Sequence, residues 1–297
     1  MTRPPALITP PSPPGRSRRV RCDRGNRYLT RVALAAVARE PPPLSPRAAE
    51  AWRARWDRQQ ARYIPLREER FDAILDALAR SQGARFRALD LGCGTGSLSE
   101  RMLARFPQAQ IVAVDFDPIT VRLGQTALGN VGGRLTWVDA DLRRARWERA
   151  LPTGRFDAAV STTALHWLTG PELTRLYRTL ARLLRGGGIF LNGDSFAYAT
   201  GSRRLTRMAR LGTERPGSGS SRAPPLGESW SEWWRAALRD PRLARESALH
   251  RARFPRRHER TPSPDLEGHL ERLRRAGFRE VEVVWGSWRN RVLAAVR

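Results

Sequence analysis

Apolar and polar positions change their rhythm near residue 85. Upstream, Ser45-Pro46 makes a cap and first-turn pair for a helix carrying Trp52, Trp56 and Gln59. Ile74, Leu75 and Leu78 line one face of a second helix. Downstream, short apolar runs alternate with helical spacing. Ala88–Leu91, Ile111–Val114, Arg134–Val138 and Phe156–Val160 read as four strands, and Ser97–Phe106 as the helix after the first. Leu173, Leu176, Leu180, Leu183 and Leu184 form a helical stripe that Gly186–Gly188 ends, and Ile189–Leu191 is a fifth strand. Gly212–Gly227, rich in Gly, Ser and Pro, reads as a mobile loop. Trp230, Trp233, Trp234, Ala237 and Leu238 make one helical stripe, and Leu266, Leu270, Leu273 and Ala276 another, closed by Gly277. Val281–Trp285 and Val292–Val296 flank Gly286-Ser287 as a hairpin that adds an antiparallel edge strand. Strands alternating with helices predict an α/β architecture with a mostly parallel sheet.

Composition changes this picture at the edges. A chain of 297 residues buries one sizeable core and a small accessory region. Residues 1–46 hold ten of the 22 prolines and too few apolar side chains to offset ordering, so they are predicted to be a disordered arm. The formal charge is +25, and all 54 basic residues are arginine. The surplus is +8 over residues 1–47 and +8 over 201–265, but only +5 over 85–200, where fifteen Arg face ten acids. Charge therefore gathers outside the predicted catalytic core. It favours salt-sensitive adherence to polyanions over a specific nucleic-acid site. Arg242–Arg260 is too basic to be wholly buried. Cys22 and Cys93 are too few for a disulfide framework and suit a reducing cytoplasm. No apolar run approaches the ~20 residues that span a bilayer. A cytoplasmic protein, monomeric or weakly dimeric and free of membrane and metal, is the expectation.

The chemistry concentrates in Arg87-Ala-Leu-Asp-Leu-Gly-Cys-Gly-Thr-Gly-Ser97. A strand there runs into three alternate glycines and then a helix, which lets a ligand lie against bare backbone at a positive helix end. The glycines fall as G-x-G-x-G, with Ser97 where the third glycine of the dinucleotide pattern G-x-G-x-x-G would stand. Asp115 ends the second apolar run 19 residues beyond Gly96, where an acidic side chain accepts both hydroxyls of a ribose. The third run leads into Asp139-Ala-Asp141-Leu142, and the fourth into Ser161-Thr-Thr-Ala-Leu-His-Trp167.

This series resembles the class I S-adenosylmethionine-dependent methyltransferases, over residues 47–297 and most densely over 85–195. The resemblance implies a Rossmann-like, mostly parallel seven-stranded sheet with an antiparallel C-terminal hairpin and helices on both faces. Residues 47–84 would be N-terminal helices, and residues 85–297 the methyltransferase domain, with 195–265 as a helical lid over the acceptor. S-adenosylmethionine would be the cofactor and S-adenosylhomocysteine the product. Asp115 and Phe116 would hold the ribose end, and Asp141 and Leu142 the adenine. Gly92, Cys93, Gly94 and Gly96 would pack against the methionine end, whose amine Asp90 would reach. Ser161, Tyr63 and Arg67 would complete the cofactor's surroundings. Cys93 is read as a small filler and not a nucleophile.

Methyl transfer from a sulfonium needs chiefly positioning, so no nucleophilic triad is expected. Ser161-Thr162-Thr163-Ala164 stands where enzymes that methylate base amines carry Asn/Asp-Pro-Pro-aromatic, which argues against that chemistry. His166 is the candidate general base, with a structural histidine as the competing reading. The nearest resemblance is to the trans-aconitate methyltransferase-like group, whose acceptors are small and often acidic. Arg203, Arg204, Arg207 and Arg210 are candidate carboxylate receptors or a solvated face. The expected function is methyl transfer to a small molecule. An RNA or protein methyltransferase and a non-catalytic S-adenosylmethionine-binding protein are the alternatives.

Overall fold

In a computed structural model of the chain, residues 42–199, 201–212, 227–255 and 263–297 are described. Most of the proline-rich arm with Cys22, most of the Gly212–Gly227 loop and Arg256–Arg260 lie outside the described residues. Helix α1 (Pro46–Tyr63) begins where Ser45 accepts the Ala48 N–H and Pro46 occupies the first turn. The expected edge of the arm moves inward, because Leu44 is buried beside Trp52 and Trp233. Helix α2 (Arg67–Ser81) buries Phe71, Ile74, Leu75 and Leu78 on one face.

Five strands follow in parallel: β1 (Arg87–Leu91), β2 (Gln110–Asp115), β3 (Leu135–Asp139), β4 (Phe156–Thr162) and β5 (Leu184–Ser195). With β6 (Glu280–Ser287) and β7 (Asn290–Val296) they make a seven-stranded sheet in the order β3-β2-β1-β4-β5-β7-β6. Helices α3 (Ser97–Arg105), α4 (Pro118–Leu128) and α5 (Gly170–Leu183) connect the parallel strands. A capping box between Thr169 and Glu172 starts α5. Helices α6 (Arg203–Gly212), α7 (Trp230–Ala237) and α8 (Ala244–Arg253) come from the predicted insertion, and α9 (Leu266–Arg275) precedes the hairpin.

The alternation along each strand sends side chains to two cores. Leu89, Leu91, Val112, Val114 and Phe190 pack with Leu173, Leu176 and Leu180 of α5 and with Leu273 of α9. Ala88, Ile111, Ala113, Val160 and Leu191 pack with Phe71 and Ile74 of α2 and with Leu98 and Met102 of α3. Each buried Leu, Ile or Phe contributes roughly 1.5–3 kcal/mol, and a one-residue slip of a strand would exchange the sets that face the two cores and mispack both. All strand ends that carry chemistry therefore emerge together at one edge of the sheet.

Two expectations need correction. Gly186–Gly188 do not end α5; they lie within β5, where its register against β4 shifts between Phe156↔Leu184 and Ala158↔Ile189. Three glycines relax the ladder enough for this bulge. The hairpin turns at Trp288-Arg289, not Gly286-Ser287, and its antiparallel strand β7 pairs with β5 inside the sheet. Strand β6, running with the parallel set, takes the edge.

Candidate functional site

Three glycines shape the turn between β1 and α3. Gly92, Gly94 and Gly96 all hold positive φ, at 68°, 56° and 83°, which disfavours any side chain. A Cβ on Gly92 would collide with the Ala164 Cβ, so the loop after β4 lies directly on the turn. A Cβ on Gly96 would come within 2.7 Å of the Trp137 ring. At Gly94 no heavy atom stands within 4 Å of that position, which leaves bare backbone for a ligand. Helix α3 has no side-chain cap, so its first N–H groups stay available there.

The carboxylates surround this turn. Asp115 ends β2, and its Oδ2 accepts the Gly94 N–H at 2.8 Å, while Oδ1 accepts the N–H groups of Phe116 and Asp117. Three of its roughly four acceptor sites are thus filled, one remaining at Oδ2. Burial lifts this carboxyl to about 6, against those hydrogen bonds. Asp90 is buried under the turn, with Oδ2 accepting the Ser99 hydroxyl at 2.6 Å and Oδ1 without a partner. Burial raises it to about 7, and the Asp115 charge adds to the rise. The buried Cys93 thiol is pushed well up by burial and by both carboxylates. It stays protonated, as a filler does.

The other expected residues are held by partners of their own. Ser161 is buried and donates to the Leu91 carbonyl at 2.8 Å. Asp141, beyond β3, is held by Arg143 through Nε at 2.7 Å and Nη2 at 3.0 Å, with Arg144 at 3.6 Å. Leu142 is half-buried against the α5-side core. The Phe116 ring meets Phe254 at 5.7 Å, with Arg143 and Arg253 over its face. Tyr63 is exposed and meets its neighbour Arg62 at 5.3 Å. Arg67 is buried against Asp57 at 2.7 Å. Arg203, Arg204 and Arg207 are exposed on α6, and the Arg210 side chain lies outside the described residues.

Several residues at the site carry no pattern in the sequence. On α1, Arg53 donates to the Thr95 carbonyl at 3.1 Å, and Asp57 accepts the Ser97 hydroxyl at 2.7 Å. Helix α1 is therefore clamped across the glycine turn. At the far end, His250 lies 2.6 Å from Asp117. Arg253 donates to the Phe116 carbonyl and to both oxygens of Asp139. These α8 residues cover the ends of β2 and β3. Beyond β4, His166 lies 2.9 Å from Asp194, near Arg70, at the end of β5. An acid closing the fifth apolar run is the one signal that would have found Asp194. Asn192, buried on β5, has neither amide atom partnered.

A glycine turn between β1 and α3, an acid ending β2 and a sheet in the order 3-2-1-4-5-7-6 together define the class I methyltransferase fold. The family described as a methyltransferase domain matches residues 88–188, about a third of the chain. Among relatives, it is 35% identical over 153 residues to the trans-aconitate 2-methyltransferase of Azoarcus sp. (strain BH72), covering 51% of this chain and 55% of that one. It is 30% identical over 137 residues to the malonyl-[acyl-carrier protein] O-methyltransferase of Anoxybacillus flavithermus (strain DSM 21510 / WK1), covering 43% and 50%. The chain thus spans about half the length of the curated relatives it matches. The solved structure of an O-methyltransferase family protein from Burkholderia thailandensis superposes with a TM-score of 0.50 over 91% of this chain and 68% of that one. At 16% identity that likeness shows the fold alone.

Proposed function

We propose that this protein transfers the methyl group of S-adenosylmethionine to a small-molecule acceptor, releasing S-adenosylhomocysteine. The observation that carries the reading is the Asp115 carboxylate, which joins the end of β2 to the Gly94 N–H and keeps an acceptor site beside bare backbone. The residues fit the cofactor on three further counts: the unpartnered Asp90 Oδ1, the positive-φ turn and the uncapped start of α3. Asp115 would hold the ribose hydroxyls and Asp90 the ammonium. Gly92–Gly96 would lie along the methionine chain, with Ser161 keeping the turn against β4. Phe116 and Leu142 would flank the adenine, whose amino group Asp141 would receive while also holding Arg143. When bound, the cofactor supplies an activated methyl group, and the protein's task is to hold the acceptor in line with it. Residues 195–265 would cover the acceptor. A small molecule, without a specific nucleic acid, membrane or metal, is the expected partner of a monomer or weak dimer. Among the described residues no helix is long and apolar enough to cross a membrane.

Calorimetry with S-adenosylhomocysteine tests this reading. Asp115→Asn is expected to weaken binding by roughly 1.5–3 kcal/mol, the scale of a hydrogen bond to a charged group, or about 10- to 150-fold in Kd. Undiminished affinity would remove Asp115 from the site.

A further inference from the structure

The ends of β4 and β5 hold a histidine–carboxylate pair outside the groups assigned above to the cofactor. His166 sits on the turn Leu165–Trp167, with Nδ1 2.9 Å from Asp194 Oδ1 and 3.1 Å from Oδ2. Its backbone N–H donates to the same carboxylate at 3.3 Å. Two contacts from one residue fix the ring's place, and the carboxylate draws the proton of a neutral imidazole onto Nδ1. The Nε2 lone pair is then turned away from Asp194, and no described residue bonds to it. Asp194 is buried, whereas 27% of the His166 side chain is exposed, so the pair runs from core to surface.

The surroundings keep Asp194 ionised. Burial alone would raise its carboxyl, but His166, the Arg70 guanidinium and the Ser195 N–H hold it below the usual range. Arg70 comes from α2 and donates to Thr163 Oγ1 and, at 3.1 Å, to Asn290 Oδ1. Two of its five N–H donors are thus committed, and its buried Nε has no partner. Behind Asp194, Tyr177 of α5 bonds His269 of α9 at 2.7 Å. Burial drives that imidazole down to about 4, so it is neutral, and Arg272 stands beside the pair. The loop carrying His166 rests on the glycine turn through Ala164 and is tied to β5 by the Thr163 N–H on the Gly193 carbonyl at 2.9 Å. Thr163 is held at φ +55°, a left-handed conformation unfavourable to a β-branched residue. The histidine is thus held firmly beside the place where the methyl donor is proposed to lie.

We infer that His166 is the general base of the transfer, positioned by Asp194, and that the acceptor atom is the oxygen of a phenol or alcohol, un-ionised at neutral pH. The inference rests on the methyltransferase reading. The hydroxyl proton passes to Nε2, and the oxygen pair forms the new O–C bond as the sulfonium S–C bond breaks with its pair left on sulfur. The imidazolium then returns its proton to solvent. A carboxylate acceptor is already ionised, gains nothing from a base, and would meet the Asp194 charge.

The test uses the full chain with ring-labelled histidine and methyl-tritiated S-adenosylmethionine. Nitrogen spectra are expected to show the neutral His166 ring protonated at Nδ1, a preference that D194N, whose amide also donates, releases. With phenol acceptors H166Q is expected to lose about 10²–10⁴-fold in transfer, and less with more acidic nitrophenols. D194N is expected to lower kcat while leaving the KM for S-adenosylmethionine unchanged. The Kd of either variant for S-adenosylhomocysteine should stay within about twofold of wild type, by the uniform-binding criterion. A wild-type ring protonated at Nε2 would overturn the inference. So would label entering only octanoate and succinate, or neither class, and so would transfer undiminished in H166Q. A wild type that fails to bind S-adenosylhomocysteine overturns the methyltransferase reading itself, which is a separate result.

Discussion

The Asp90 carboxyl lies under the glycine turn with one oxygen bonded to Ser99 and the other without a partner, and burial raises it to about 7. An unfolded aspartate releases its proton near pH ~4. The folded protein therefore holds a proton that the unfolded chain has lost, from about pH 4 up to about 7. Stability falls as pH rises through that window, by on the order of 4 kcal/mol from this group, and the loss is complete above it. Asp115, raised to about 6, adds a smaller effect of the same sign. Asp90→Asn keeps an acceptor for Ser99, so urea unfolding at pH 5 and pH 8 is expected to differ much less than in wild type. An unchanged difference would mean that Asp90 is ionised in the folded protein throughout. The position of Asp90 before the glycines was legible from the sequence. Its orphaned oxygen was not, because an unmet hydrogen bond exists only once neighbours have closed around it.

Between elements, the clamp of α1 across the glycine turn depends on Arg53, which is 2% exposed and donates to Thr95, Glu50 and Glu100. Arg53→Ala removes three charge-assisted bonds and is expected to cost about 2–3 kcal/mol, since both glutamates are half-exposed and rehydrate. Amide exchange at Gly94–Ser97 should quicken in the variant, whereas exchange in β5 keeps its rate. Equal quickening in both would show that α1 stabilises the whole domain and not the turn. The helix itself was readable from Ser45-Pro46 and the spacing of Trp52 and Trp56. Its partner was not, because one arginine among 54 carries no mark of burial. The same holds for Arg253 and His250 of α8, whose acids sit on β3 and on the loop between β2 and α4. The misplaced end of α5 has a different cause. Three glycines signal a stop equally well for a helix or for a bulge, and only pairing with β4 chose the bulge.

Across the molecule, the surplus of +25 acts at long range and without regard to sequence. Binding to random RNA is expected to fall by about 10³-fold or more between roughly 50 and 200 mM salt, with no preference among sequences. Fluorescence anisotropy that finds selective binding surviving at the higher salt would restore RNA as the acceptor. Local rules settled much of the rest. The period of apolar residues specified β1 to β4, and positive-φ backbone demanded glycine at 92, 94 and 96. The strand-end position of Asp115 followed from the length of one βαβ unit. These features are encoded within a few residues, where sterics and burial leave little choice. Contacts between distant segments belong to another order: His166 meets Asp194 across 28 residues and Arg53 meets Thr95 across 42. Polar partners are chosen by which surfaces the packed sheet brings together, and no local period records that choice. The primary structure alone thus determined the glycine turn and the acid that ends β2, while tertiary packing decided which polar side chains meet around them.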